Sequence, residues 1–352
     1  MNRSRRVVRT LTSDLAQWIR RPASDLRGLP PLAVWDRHLL RVLPIVFAIS
    51  TGYQITKYIA VPQGVGFDAR LYTAAAKAWL AGGDPWRVTS LGVPYAAPPP
   101  TLLAYAPFTP LPDWLVVAIW IIGSFALAAL AIRAIGFNWW WICFWPIVDG
   151  ALVGNPDVAI LALLVIARQR FASLAPILKI YAFFPLVSQR RWKAIALCGA
   201  ILVVTAPILP WSLWIAALPS ISKAFERYAL TTSVSGSLPL MVIAAIALVA
   251  LGFRRAGWLI VPVLWPWTQT HYLAMSVPAL TPTLAILWSI PGPPPFVMLA
   301  SVVLAAIGFR LFPHVESPTD PDLRDPKISF DVGSPEPVSR VSISVNALPG
   351  SP

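Results

Sequence analysis

Apolar runs of bilayer length, divided by arginine pairs and prolines, limit what this chain can become more than any other feature does. From about Leu39 to Val61 the sequence offers the ~20 apolar residues that cross a hydrocarbon core at 1.5 Å per residue. Further runs follow at Leu115 to Ile135, Trp139 to Val153, Ala194 to Leu213, Leu238 to Phe253, Gly257 to Trp267, Tyr272 to Ile290 and Pro295 to Phe312. Only 12% of the residues are charged, about half the share of an ordinary soluble domain, and the mean hydropathy is +0.67. The expected fold is therefore an all-α polytopic membrane protein.

The formal net charge of +13 would suit nucleic acid if it lay on one soluble face. Here the cations stand at the ends of apolar runs, as orientation in a bilayer requires, so the charge reads as topology and no nucleic-acid partner is expected. Residues 1 to 41 carry nine arginines against Asp14, Asp25 and Asp36, which places this end in the cytoplasm. Within it Leu11, Leu15, Trp18 and Ile19 can share one face of a short helix on anionic headgroups, or belong to a plain disordered tail. No apolar core of a signal peptide follows, so the first span is expected to remain as an uncleaved anchor. Cys143 and Cys198 lie inside apolar runs without paired spacing and indicate neither a disulfide framework nor a metal site.

The resulting division is a basic segment at 1–38, a membrane domain at 39–312 with an outer loop at 62–113, and a disordered tail at 313–352 rich in Pro, Ser and Asp. Asp320 and Asp322 form an acidic triplet in that tail, where a metal role is not expected, and span parity leaves the side of the tail open.

The outer loop carries the stretch Phe67 to Trp86, which starts with Asp68 after Gly64 and Gly66 and reads as a helix through Tyr72 and Trp79. It ends at Gly82, Gly83, Asp84 and Pro85. Asp68 is either a helix cap or a carboxylate presented at the bilayer surface for chemistry. Downstream, Pro98, Pro99 and Pro100 forbid a continuous helix and are expected to run extended, turning the loop back onto the membrane. Phe171 to Val187 has basic residues on both flanks, so a broken, re-entrant segment around Lys179 and Pro185 is expected rather than one crossing.

Ionisable residues at membrane depth are functional candidates because burying one costs a few kcal/mol. Lys179 reads as a cation for a lipid phosphate or as a lysine snorkelling to the interface. His271, beside Thr268, Gln269 and Tyr272, can donate a hydrogen bond to a phosphate or stand as a satisfied interfacial residue. The sequence has no glycine-rich phosphate loop, no HExxH and no nucleophile elbow, so soluble nucleotide chemistry has no visible home. A carboxylate beside lipid-reachable cations fits transfer from a lipid-bound donor to a hydroxyl, in which general-base help is worth about 10² to 10⁴ in rate.

The order of motifs resembles glycosyltransferase family 87, multi-spanning bacterial enzymes of the GT-C class. The motifs are Asp68, Tyr72 and Ala75; Gly82 to Trp86; Tyr95, Pro98 and Pro99; Gly154 to Asp157; Lys179, Ile180, Tyr181 and Pro185; Arg190 to Trp192; and Trp267 with His271 and Tyr272. The resemblance covers roughly residues 40 to 310 and implies a GT-C-like bundle of about nine or ten transmembrane helices, with short interfacial helices in the first outer loop. It implies a multi-pass protein of the bacterial plasma membrane that moves a sugar, typically mannose, from a polyprenyl-phosphate donor to a glycolipid or glycan acceptor on the outer face. Asp68 matches the family's base in an inverting displacement, His271 a residue that meets the carrier phosphate, and Lys179 the membrane lysine. Tyr72 and Trp86 would shape the sugar and acceptor site, and Asn155 would be a substrate contact. The chain departs from relatives that have Gly-Gln-x-Asn where it has Gly154, Asn155 and Asp157. No cofactor or metal is implied beyond the lipid-linked donor. The rival readings are a transporter or flippase with the same buried cations, which often shows two similar halves not seen here, and an inactive scaffold subunit.

Overall fold

The computed structural model describes residues 34–228, 232–266 and 268–311. The basic segment before residue 34, Trp267 and the tail after residue 311, with its acidic triplet, lie outside the described residues. The chain is mostly helical, and its one sheet among the described residues is a two-stranded antiparallel ribbon, Thr89–Ser90 against Val93–Pro94.

In chain order the helices that matter begin with α1 (Val34–Ala60), α2 (Phe67–Leu80), α3 (Pro100–Tyr105) and α4 (Asp113–Ile135). They continue with α5 (Trp145–Val153), α6 (Asp157–Val165), α7 (Gln169–Ala172), α8 (Leu174–Leu178), α9 (Phe183–Ser188) and α10 (Trp192–Thr205). The rest are α11 (Trp211–Tyr228), α12 (Leu238–Ala250), α13 (Phe253–Leu264), α14 (Pro282–Trp288) and α15 (Pro295–Leu311).

Among the described residues two helices are long and apolar enough to cross a membrane, α1 over Leu39–Ala60 and α4, and a third span results if α5 and α6 count as one. Those two meet at 119°, and the run Trp139 to Val153, expected as the third span, is instead a 3₁₀ turn at Trp139–Cys143 followed by the nine-residue α5. Pro146 opens α5, and Gly154 ends it with a left-handed φ of 73°, so the chain turns at Asn155 and Pro156. Other expected spans are broken too. Tyr272 to Ile290 is a 3₁₀ segment at Thr270–Ala279 followed by α14, and Ala194 to Leu213 is divided between α10, which ends at Thr205, and the start of α11. Phe171 to Val187 is interrupted as expected, because Lys179 is extended (φ −150°, ψ 123°) between α8 and a 3₁₀ turn at Ile180–Ala182. The triple proline differs from expectation. Pro99 is already helical and Pro100 opens α3, since a proline at the first helical position removes an N–H that would be unpaired anyway.

Two apolar clusters hold these parts. The larger joins α4, α5, α6, α12, α13, α14 and α15, with Trp258 and Trp288 fully enclosed. The smaller lies under the outer loop, where Leu71, Tyr72 and Ala75 of α2 pack with Trp86, Tyr95, Leu102, Tyr105 and Ile221. The loop is pinned back onto the larger body by Thr101, whose hydroxyl lies 3.1 Å from both the Ile177 and Leu178 carbonyls. Those carbonyls are left without helical partners where α8 stops, so α3 caps α8 and fixes the break that presents Lys179.

Candidate functional site

The site forms where the first turn of α2 meets the turn between α5 and α6. Gly66, in a left-handed conformation (φ 69°), donates its N–H to the Leu152 carbonyl at 2.7 Å. A Cβ on Gly66 would lie 2.3 Å from a Val117 methyl, and a Cβ on Gly154 would lie 2.6 Å from that of Ala69. Both turns therefore need glycine, and their close approach places Asp68 against Asn155.

Asp68 does not cap its own helix. Its Oδ2 accepts from the Asn155 side-chain nitrogen at 2.5 Å, and the Gly66 cap position has no side-chain hydrogen bond. The expected water-facing carboxylate is thus half-buried and held across the fold. Burial raises its pKa above the ordinary aspartate value, a rise opposed first by His271, then by Lys179 and by the Asn155 hydrogen bond.

Asn155 is the hub. Its Oδ1 accepts from Lys179 Nζ at 2.9 Å and from the Asp157 backbone N–H at 3.1 Å. Two donors on that atom identify it as the carbonyl oxygen, so the other atom is the NH₂. That NH₂ donates to Asp68 and lies 3.0 Å from His271 Nε2, which must then be an acceptor. The network assigns the His271 proton to Nδ1, which faces Asp149 Oδ2 at 3.5 Å. Asp149 in turn accepts from the Tyr58 hydroxyl of α1 at 2.5 Å. His271 sits on the 3₁₀ segment and stacks on Tyr272 at 27° with centroids 5.0 Å apart.

Lys179 is buried and heavily engaged. It pairs with the fully enclosed Asp157 at 3.2 Å, and its ammonium lies 4.2 Å from the centre of the Tyr272 ring. Tyr181 also donates to Asp157. The snorkelling geometry expected of an interfacial lysine is not the one observed, because the charged head points into the protein toward Asn155 and Asp157.

No family model, curated protein or solved structure matches this chain.

Four of the six residues singled out from sequence, Asp68, Asn155, Lys179 and His271, converge in one connected network. Tyr72, one turn after Asp68, packs edge-on to Tyr95 and at 4.9 Å from Tyr105. Trp86 packs against Tyr95 in the same cluster, and its indole N–H is taken by the Ala97 carbonyl at 3.1 Å. It is a buried pillar of the loop. Sequence reasoning missed Asp149 and Tyr58, and it named Asp157 and Tyr181 only as motif members. Asp149 carried a usable signal, being an acid inside the apolar run Trp145 to Val153. Tyr58, at the end of a span, is indistinguishable from an interfacial aromatic. Among the described residues no group of three or more His, Cys, Asp or Glu is arranged to hold a metal ion.

Chemically, the arrangement offers one partly accessible carboxylate whose far side is fixed by an amide, with a histidine and a paired lysine behind that amide.

Proposed function

We propose that this chain is a polytopic membrane glycosyltransferase of the GT-C class, akin to family 87, in the bacterial plasma membrane. It transfers a sugar, mannose foremost, from a polyprenyl-phosphate donor to a hydroxyl of a glycolipid or glycan acceptor on the outer face. The observation that carries this reading is the junction of Asp68 with His271 and Lys179 through the single side chain of Asn155. An acid, a histidine and a lysine from three distant chain segments meet only if the fold needs them together.

In this mechanism the acceptor hydroxyl gives its proton to Asp68 while its oxygen bonds to the anomeric carbon. The bond from that carbon to the carrier oxygen breaks, polyprenyl phosphate leaves with the electron pair, and the anomeric centre inverts. Asn155 aims the Asp68 carboxylate, and burial makes it a stronger base once ionised. The carrier phosphate lies on the side of His271, and Lys179 adds positive potential behind it. The aromatic wall of Tyr72 and Tyr105 borders the acceptor side. The buried Tyr105 hydroxyl, which has no partner among the described residues, is available there.

The test is incubation of purified protein with polyprenyl-phosphate mannose and a panel of other lipid-linked sugars, with products read by mass. A covalent product from wild type and none from Asp68→Asn is expected. Movement of the labelled lipid across vesicles without any covalent product would replace this reading with a flippase.

A further inference from the structure

A cleft of about 770 Å³, lined by Arg168, Arg170, Phe171, Lys193 and Leu197, lies beyond the end of α6 that is remote from Asp157. Nine helical residues, about 13 Å, intervene, so this cleft is separate from the carboxylate site and its reading does not depend on glycosyl transfer.

The cleft is built by a buried arginine. Arg191 Nη1 donates to the Leu164 carbonyl at 2.7 Å and Nη2 to the Ala167 carbonyl at 2.6 Å. These are the carbonyls that the end of α6 leaves without helical partners, and taking them clamps the start of α10 to that end. Arg190, with a left-handed φ of 56°, makes the sharp turn that sends Arg191 inward. Lys193 and Leu197, four apart on α10, then share one wall, while Arg168, Arg170 and Phe171 form the other.

The lining combines two chemistries that one soluble ligand would not satisfy. Arg168, Arg170 and Lys193 are exposed, and among the described residues none of the three forms an ion pair. Beside them Phe171 is 62% exposed and Leu197 37%. Three cations ask for an anion, and large apolar faces next to them ask for hydrocarbon rather than water. The basic flanks assign this end to the cytoplasmic leaflet.

We propose that this cleft binds an anionic membrane phospholipid, its phosphate among Arg168, Arg170 and Lys193 and an acyl chain along Phe171 and Leu197. The full chain in detergent micelles, offered equal amounts of phosphatidylglycerol and phosphatidylcholine, should retain the anionic lipid preferentially by about tenfold or more in native mass spectrometry. Arg168→Glu with Arg170→Glu should bring that preference close to one, and Lys193→Glu on the opposite wall should lower it by itself. Lys57→Glu with Lys77→Glu, which removes two exposed cations elsewhere, should leave it intact. Equal retention of both lipids by wild type would overturn the proposal, as would equal loss of preference in the Lys57 and Lys77 variant. Displacement of bound lipid by equimolar glycerol phosphate would assign the cleft to a soluble phosphate instead.

Discussion

The side-chain nitrogen of Asn155 holds Oδ2 of Asp68 at 2.5 Å, although 87 residues separate the two in the chain. Asn155→Asp keeps the shape but replaces the NH₂ by an acceptor, setting a second carboxylate against Asp68 and opposite His271 Nε2. Transfer should fall by about 10² to 10³, the scale of losing a preorganised polar contact at a reacting group. Asn155→Gln keeps the chemistry but lengthens the reach, and it should retain more activity than Asn155→Asp. The reverse ranking in a labelled-lipid transfer assay would show that Asn155 acts through packing alone.

Burial raises the Asp68 pKa above the ordinary carboxylate value, with two predicted consequences. A base must be ionised, so the acid limb of the pH–rate profile should lie above the ~3.9 of a free aspartate. For stability the sign is opposite. With the folded pKa above the unfolded one, the native state binds more protons across that interval, so Asp68 contributes stability at low pH that is lost as pH rises through its folded pKa. Asp68→Asn should therefore be inactive at neutral pH yet melt no earlier than wild type, as thermal unfolding would read. An inactive variant that also melts much earlier would mean that Asp68 is chiefly structural.

The residues of the site were easier to read from sequence than its shape. Lys179 stood out because an ionisable group is expensive inside an apolar run, a cost visible one residue at a time, whereas Asp68 and His271 stood out as polar groups at the same rim of the bilayer. Asp149 obeyed the same rule and was overlooked because Trp139 to Val153 read as a plain span. The runs were misjudged in length because hydropathy averages over breaks. Trp139 to Val153 is apolar almost throughout, yet it is a 3₁₀ turn at Trp139–Cys143 and then the short α5, which Pro146 opens. The pairing of Lys179 with Asp157 was also hidden, because 22 residues of chain must fold back before the two touch.

Lys179 and Asp157 form a buried pair, so each single neutral substitution leaves an uncompensated charge. Lys179→Met and Asp157→Asn should each destabilise by about 3–5 kcal/mol. Combined, they should recover much of that loss, because neither charge is then stranded. Activity separates structure from function here. If the lysine serves the donor phosphate, the stable double variant will still transfer sugar poorly, whereas recovery of both stability and rate would reduce Lys179 to a structural cation.

Gly154 and Ala69 set the distance between the two turns that bear Asn155 and Asp68. Gly154→Ala would put a Cβ 2.6 Å from that of Ala69 and 3.2 Å from its backbone nitrogen, at a φ of 73°. The left-handed conformation alone costs about 1–3 kcal/mol for a residue with a side chain. The methyl contact adds to it and pushes the first turn of α2 away from Asn155. Gly154→Ala should therefore lose more transfer activity than its fall in melting temperature explains, since the Asp68 to Asn155 hydrogen bond lengthens. Ala69→Gly in the same chain removes the methyl clash and leaves the conformational strain, so it should restore activity further than stability. If Ala69→Gly gives no rescue, the two turns are not held in register by this contact.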